Sequence, residues 1–272
     1  MTQRMRKIQA VHSSKQLEVK YRRELDALLR YMLNIALDEL REPEKVNDAL
    51  PDYFKDLTAK MNRIFDKLDA INLSMFANLI ASRVVNTANN ANKERFNRQA
   101  SKTFGIDLKG ALSSSGKAVQ DQLAIDRELN ASLIKSVATE FKQQISETIM
   151  TNVQSGKRST DLITQIKERY NVSQSRAKLI ARDQTSKLNG SLVKARAQAV
   201  GSKTYIWSSV GDERTRENHR VLNGMLCKMN DDTVYSDDNG ETWKSRRSIS
   251  AFIGKPTEDI NCRCAMLPVV EF

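Results

Sequence analysis

Apolar residues recur at helical spacing through the first part of the chain. From residue 17 to residue 35 they return every three or four positions, which places them on one face of a helix. This helix is expected to end before Pro43, because proline cannot continue a helical hydrogen-bond ladder. The face consists of Leu17, Tyr21, Leu25, Leu28, Met32 and Ile35.

A second apolar set alternates steps of three and four residues, the spacing of a seam that faces a partner helix. That partner is either the first helix of the same chain, folded back as a hairpin, or a helix of another subunit. The hairpin is favoured, because three heptads are the shortest run that indicates a coiled coil. The seam consists of Phe54, Leu57, Met61, Ile64, Leu68, Ile71 and Met75.

A stretch rich in glycine and serine, from Gly105 to Gly116, interrupts this pattern and predicts a flexible connector. After it, helical spacing predicts a short helix that ends at Tyr170 and a second helix from Ser173 to Val200, closed by Gly201. The apolar face that follows the connector consists of Ile134, Val137, Phe141, Ile145 and Ile149.

Beyond residue 203 the pattern changes to short β-prone runs separated by turn signals. Thr204 to Trp207 forms the first run, Thr233 to Tyr235 is expected to pair with Glu241 to Trp243, and Asn261 to Val269 reads as a last strand. The fold class is therefore α+β and mostly α: a long N-terminal helical hairpin or bundle, then a small α+β module with a short antiparallel sheet. The expected domains are an N-terminal helical arm (1–104), a flexible connector (105–118), a basic helical region (119–201) and the C-terminal module (202–272).

Lysine and arginine outnumber aspartate and glutamate by 44 to 33, and this excess lies before residue 201. Such a charge favours a partner that carries phosphates, with contacts to the backbone of double-stranded DNA and no sequence preference. The alternative is that these charges flank a packed helix and keep the protein in solution. The candidate DNA-binding residues are Lys157, Arg158, Arg176, Lys178, Arg182, Lys187, Lys194 and Arg196.

The chain contains no apolar run near the length of a bilayer span and no apolar core of a secretory signal, so no membrane is expected among its partners. Three cysteines, two of them separated by one residue, do not suggest a disulfide framework. A reducing compartment, such as a bacterial cytoplasm, fits this cysteine usage.

Rare residue types are concentrated near the end of the chain, where both tryptophans, all three cysteines and one of the two histidines lie between Trp207 and Cys264. Their order and spacing, with Ile180 to Asp183 and Asn189 before them, resemble the Mu F-like minor head proteins of tailed phages, the phage head morphogenesis family. The resemblance runs from Ser173 to Pro268. Its structural motif consists of Trp207, Asp212, Arg216, His219, Gly224, Asn261, Cys262, Arg263 and Cys264.

The resemblance implies a minor head protein that associates with the portal during head assembly and lies inside the head, near packaged DNA. It implies a structural role, with no enzyme activity and no cofactor. The major capsid protein or a scaffolding protein is a further expected partner. The expected location is the capsid interior at the portal vertex, after assembly in the host cytoplasm. The chain departs from the commoner motif in having four residues between Pro256 and Asn261.

A metal site is the main rival interpretation of the scarce residues. His219, Cys227, Cys262 and Cys264 together would complete a tetrahedral zinc shell, and a CxC pair on a strand would point both sulfurs to one face. The chain would then be a zinc-dependent nucleic-acid-binding protein or enzyme. The favoured interpretation has no metal: the thiols are small buried groups and His219 bonds to Asp212 or to the backbone, because Cys227 comes from an acidic, turn-rich stretch.

Asp212, Arg216 and His219 follow one another at steps of four and three, so they share a face if Asp212 to Val221 is helical. One interpretation pairs Asp212 with Arg216 in a structural network. The other is enzymatic, with His219 as a general base oriented by Asp212 and Arg216 binding an anion. No nucleophile, carboxylate cluster or phosphate loop accompanies them, which favours the structural network.

Overall fold

The computed structural model describes residues 5–41, 50–105, 116–155 and 159–271. Within these ranges the chain is mostly helical and carries one antiparallel sheet, as predicted. The α-helices are α1 (Lys15–Arg41), α2 (Leu50–Asp69), α3 (Leu73–Phe104), α4 (Lys117–Ser155), α5 (Ser159–Ala199) and α6 (Glu217–Arg220), and Arg246–Ile249 forms a 3-10 helix. The strands are β1 (Met5–Lys7), β2 (Thr204–Ser208), β3 (Leu226–Lys228), β4 (Val234–Ser236), β5 (Lys244–Ser245) and β6 (Ala265–Glu271).

Contacts divide the chain into two compact units, each built from segments that are distant in sequence. The sheet unit comprises the described residues within Met1–Glu18, Val84–Arg127 and Arg182–Phe272. The helical unit comprises Val19–Arg83 and Glu128–Ala181. The domains expected from the sequence are consecutive segments instead, and most of the predicted connector lies outside the described residues, so that division stays a prediction.

The helical unit buries the apolar faces that the spacing predicts on α1 and α4. Tyr21, Leu25 and Met32 of α1 are almost fully buried, as are all five predicted positions of α4. Polar groups in this interior are paired: Tyr21 donates a hydrogen bond to Asn130 (2.8 Å), and Tyr170 donates one to Asp26 (2.6 Å). Buried polar groups without partners would cost about 1–3 kcal/mol each, so these pairs are needed for a stable interior.

The predicted hairpin between the first two helices is supported by an ion pair, since Arg63 of α2 contacts Glu39 of α1 (Nε to Oε2, 2.7 Å). The seam itself is shorter than predicted. It ends at Leu68, and Met75 is 55% exposed. α2 ends at Asp69, and α3 begins after Asn72, whose side chain accepts a hydrogen bond from the backbone N–H of Met75 (3.0 Å) and thereby caps α3. The side chain of Phe54 lies outside the described part.

A helix boundary between Tyr170 and Ser173 was predicted, and this is wrong: α5 runs without a break from Ser159 to Ala199. Ser173 is buried and its hydroxyl donates to the side chain of Gln144 (3.4 Å), so it makes a tertiary contact rather than a cap. Gly201 follows the helix with a positive φ of 81°, as expected for a C-terminal glycine.

The sheet has the strand order β1-β6-β2-β3-β4-β5, and every neighbouring pair is antiparallel. β2 lies at its centre and pairs with β6 from Thr204↔Val269 to Ser208↔Ala265. Three predictions need correction: β1, from the expected helical arm, joins the sheet beside β6; β5 follows Trp243; and β6 begins at Ala265 rather than at Asn261. Cys262 and Cys264 therefore lie in the loop before β6 and not on a strand.

Among the described residues, no single helix is long and apolar enough to cross a membrane. Lys55–Asp69 and Leu73–Phe104 reach that length and composition only as a pair, across a bend of 47°.

Candidate functional site

Three side chains of the C-terminal module meet in the interior of the sheet unit. His219 lies on α6, and Cys262 and Cys264 lie in the loop before β6. Nδ1 of His219 is 3.5 Å from Sγ of Cys262 and 3.6 Å from Sγ of Cys264. All three residues are buried, with His219 only 2% exposed. We call this group the HCC cluster.

The imidazole of His219 is held by aromatic neighbours. Trp207, from the central strand β2, meets it edge to face with ring centroids 5.6 Å apart. Phe252 lies on it with centroids 4.6 Å apart, and the backbone N–H of Phe252 donates to the carbonyl of Asn218 (2.9 Å). Because the backbone and both rings restrain α6, the ring nitrogens have a fixed direction.

The other ring nitrogen of His219 faces a carboxylate. Oδ2 of Asp259 is 3.3 Å from Nε2, and the same oxygen is 3.2 Å from Nη1 of Arg216. Nε2 has no hydrogen bond of good geometry among the described residues, so the Asp259 contact is electrostatic rather than an aligned bond. Nδ1 thus faces the sulfurs while Nε2 faces negative charge.

The loop that carries the two cysteines is tied to α5. The backbone N–H of Asn261 donates to Oδ1 of Asp183 (2.7 Å), and the hydroxyl of Ser186 donates to the carbonyl of Cys262 (3.0 Å). Asn261 has a φ of 56°, a left-handed conformation that asparagine tolerates better than most residues. Asp183 and Asn261, both within the segment that carries the family resemblance, therefore act together.

Close approach of α5 to the same loop depends on Gly190. A Cβ added to Gly190 would lie 1.9 Å from Oγ1 of Thr257 and 3.3 Å from the carbonyl oxygen of Pro256. A side chain at this position would push the loop away from the helix. The glycine therefore sets the depth at which the loop sits.

Asp212 does not pair with Arg216 and does not orient His219, so those two predictions are wrong. Its carboxylate forms a two-pronged ion pair with Arg263 (2.6 and 2.7 Å), which lowers the pKa of Asp212 to about 2. The segment before α6 is a turn, closed by the backbone N–H of Thr215 donating to the carbonyl of Asp212 (3.0 Å). Because the segment is not helical, the shared face does not exist.

Gly224 allows the chain to turn from α6 into β3. It has a φ of 82°, which disfavours any side chain, and its N–H donates to the carbonyl of Trp207 (2.8 Å). Trp207 and Gly224 therefore contribute backbone and packing to the module.

Cys227 lies apart from the HCC cluster. It is on β3 rather than in the expected turn, and its thiol is 3.8 Å from the carbonyl of Met225. Burial raises the pKa of this thiol. Among the described residues only three groups join the cluster, so the four-ligand shell considered from the sequence is not formed.

The pKa values of the two thiols in the HCC cluster are shifted in opposite directions. Hydrogen bonds from Cys264 and then from His219 hold the pKa of the Cys262 thiol below its usual range. The neighbouring Cys262 and burial raise the pKa of Cys264. The arrangement thus favours a negative charge on one sulfur, next to a ring nitrogen.

Arg246 is a structural residue that the sequence pattern does not single out. It is fully buried, and its guanidinium donates to the carbonyl of Gly254 (2.7 Å) and to the hydroxyl of Tyr205 (3.2 Å). Asp259 was missed in the same way. Both lie in the irregular stretch between β5 and β6, where no periodic pattern marks a residue as important.

The candidate DNA-binding residues are not equally available. Arg196 is 4% exposed and donates to Asn92 (2.7 Å) and Asn89, and burial lowers its pKa to about 10. The prediction that Arg196 contacts DNA is therefore wrong. Lys194 is half-buried, and burial lowers its pKa too.

Two further candidates are already paired: Lys187 contacts Asp183 (2.9 Å) and Arg176 contacts Glu140. Lys178 and Arg182 are exposed on α5, and within the described part of the chain neither forms an ion pair. The candidates that lie outside the described residues are Lys157 and Arg158.

One comparison with known proteins points to a family. Residues 143–267 match the family model described as Phage Mu protein F like protein. The chain is also 30% identical, over 272 residues, to an uncharacterized protein of Haemophilus influenzae. That alignment covers 98% of this chain and 56% of the relative, so the chain spans about half the length of the curated relative it matches. No solved structure matches the chain.

Proposed function

Since the chain belongs, through residues 143–267, to the Phage Mu protein F like family of phage head morphogenesis, we propose that it is a minor head protein of a tailed phage. In this proposal it binds the portal while the head assembles and stays inside the head, near the packaged DNA. The observation that carries the proposal is the family match, which spans the whole motif from Trp207 to Cys264.

The contacts of the motif support a structural rather than a catalytic role. A general base at His219 would need a ring nitrogen directed at a substrate, but Nδ1 faces the sulfurs of Cys262 and Cys264, and Nε2 faces Asp259. Asn261 and Gly224 serve the backbone through positive φ angles. Most of the motif therefore fixes the loop before β6 to α5 and α6.

The finer assignments follow from the role of the family in head assembly. We place the protein in the virion, in the capsid interior at the portal vertex, after assembly in the host cytoplasm. The portal is the first partner, and the major capsid protein or a scaffolding protein is a further one. Their support is the family alone.

Contact with double-stranded DNA is supported by charge. The chain has a formal net charge of +11, and Lys178 and Arg182 present exposed cations on α5. Neither the charge nor the spacing of the basic residues suggests sequence-specific recognition of bases, so the proposed contacts are to phosphates.

Co-expression with the portal protein of the phage that encodes this chain tests the proposal. The full chain should co-purify with that portal through two chromatographic steps, and it should not co-purify with the portal of an unrelated phage. Both proteins should first be shown to be folded by circular dichroism. A folded full chain that elutes apart from its own portal would overturn the proposed partnership.

A further inference from the structure

We infer that His219, Cys262 and Cys264 bind one thiophilic divalent metal ion, with zinc as the best fit to the three donors. Nδ1 of His219 is almost equally distant from the two sulfurs, at 3.5 and 3.6 Å. With Zn–S near 2.3 Å and Zn–N near 2.05 Å, a tetrahedral centre separates a nitrogen from a sulfur by about 3.6 Å. The observed spacing is that of two ligand edges around a common ion.

A hydrogen-bond explanation accounts less well for this symmetry. A single ring N–H directed at one sulfur would leave the other at a greater distance or a poor angle, because hydrogen bonds are directional. The donor atoms of all three residues lie within 4.8 Å of one another and all three residues are buried. Because all three residues are buried, their donor atoms face one another rather than bulk solvent.

The surroundings of the HCC cluster match those of metal-binding histidines. Such a histidine commonly directs its second ring nitrogen to a carboxylate, which fixes the ring and strengthens the ligand. Here Asp259 is 3.3 Å from Nε2, and Arg216 holds Asp259 in place. The histidine is 2% exposed, and Nε2 has no other partner among the described residues. This contact is independent of the sulfur geometry and indicates the same site.

The fourth coordination position is available to one water molecule. No further His, Cys, Asp or Glu of the described chain joins the cluster. A cavity of about 20 Å³ is lined by the three donor residues and by Asn261. That volume suffices for one water. The side-chain oxygen of Asn261 is buried without a hydrogen-bond partner, and it would accept one from that water.

The consequence for the protein is a metal link between α6 and the loop before β6. Two thiolates would offset the charge of a divalent ion, so the pair is suited to a buried site. The link is compatible with a structural role, and it does not depend on portal binding. Loss of metal would therefore leave the proposed function standing, and failure to bind the portal would leave the metal site standing.

The first test measures metal in the full chain, purified under reducing conditions. We expect about one zinc per chain, and after chelation and titration with Co²⁺ we expect thiolate-to-cobalt charge-transfer absorption that saturates at about one equivalent. Cys262→Ser and Cys264→Ser should each lose the metal. Cys227→Ser is the matched control and should keep it, because that sulfur lies outside the cluster.

Wild-type protein without zinc and without the cobalt absorption would overturn the inference, and this result does not depend on how the variants fold. Equal loss of metal in a folded Cys227→Ser protein would overturn it too.

A second test measures zinc affinity in Asp259→Asn, which should fall by about 10- to 100-fold if the carboxylate supports the ligating histidine. Glu258→Gln should bind as the wild type does, because Glu258 contacts the backbone N–H of Lys255 and not the ring. Unchanged affinity in Asp259→Asn would contradict the assigned role of Asp259.

Discussion

Asp212 and Arg263 form an ion pair that is partly open to solvent, with 40% and 35% of the two side chains exposed. Water and salt weaken such a pair, so its contribution to stability is modest. Its geometry is nevertheless favourable, because Nη1 and Nη2 of Arg263 each donate to a different carboxylate oxygen of Asp212.

The pKa of Asp212 gives this pair a defined pH dependence. The folded-state value, about 2, is below the unfolded value of about 3.9, so the stabilisation is present above that unfolded value and is lost as the pH falls toward 2. Asp212→Asn should therefore lower the urea midpoint at neutral pH and have little effect near pH 2. Urea titrations at several pH values measure this. Exposed Glu213 provides the control, since Glu213→Gln should change neither midpoint. A deficit in Asp212→Asn that is as large near pH 2 as at neutral pH would contradict the assignment.

Gly190→Ala tests how closely α5 approaches the loop. The new Cβ would clash with Thr257, while alanine favours the helix by about 1 kcal/mol, so we expect a net loss of about 1–2 kcal/mol in the free energy of unfolding. Thr257→Gly in the same chain should restore stability, because it removes the clash and suits the φ of 77° at that position. Gly116→Ala is the control, since nothing lies within 4 Å of its added Cβ. Denaturant unfolding measures all three, and a neutral Gly190→Ala would disprove the close approach.

For single residues, the sequence identified the members of the structural motif better than it identified their contact partners. The spacing of Asp212, Arg216 and His219 suggested a common network, and each of them does contact the segment from Asp259 to Cys264. Their partners were not predictable, because the segment before α6 is a turn and the partners come from a loop about forty residues away in sequence.

Among the elements, α3 and α5 are joined within the sheet unit by buried polar side chains. Arg196 donates to Asn92, and Asn92 donates to Asn189 (2.9 Å). The asparagine-rich stretch that follows Asn86, polar by composition, is thus part of α3 and points some of its amides into the interior.

Removal of Arg196 separates the structural interpretation from the DNA-binding one. Arg196→Ala would leave buried amides unpaired, so we expect a loss of about 1–3 kcal/mol in the free energy of unfolding. At temperatures where the variant is folded, its affinity for duplex DNA should equal that of the wild type, because the wild-type guanidinium is not accessible. Thermal unfolding and a DNA-binding titration measure the two effects. A stable variant with weaker DNA binding would reverse our assignment.

The long periodic elements were predictable because their signal is local. The apolar faces of α1 and α4 follow directly from spacing, and β2 follows from its run of β-prone residues. β1 was missed because three residues that pair with a strand more than two hundred positions away carry no local signal. The start of β6 was misplaced because Asn261 adopts a positive φ that alternation in sequence does not reveal.

At the scale of the whole molecule, each compact unit is built from segments that are distant in sequence, and this limits which fragments can be used in experiments. α3, α4 and α5 each supply residues to both compact units. A cut near residue 201 would separate β1, α3 and the end of α5 from the other strands of the sheet unit, so experiments on function need the full chain. The family could be recognised from sequence because its motif is a matter of order and spacing, which do not depend on knowledge of the contacts.

The proposed binding to duplex DNA would depend on the charge of the whole chain rather than on a single site. The full chain should bind without sequence preference, and its affinity should fall steeply as salt rises. If Lys178 and Arg182 each contact a phosphate, the double alanine variant should reduce the slope of log affinity against log salt by about 2. Fluorescence anisotropy at several salt concentrations measures the slope. Lys187→Ala is the control, because Lys187 is already paired with Asp183. Absence of binding at low salt would contradict the proposal that the chain contacts DNA.

Quantitative mass spectrometry of purified particles from the phage that encodes this chain tests the central claim most directly. A minor head protein should be recovered from intact, nuclease-treated particles, at a small fraction of the amount of the major capsid protein. Particles that are complete and infectious but contain none of this chain would contradict the assignment to the virion.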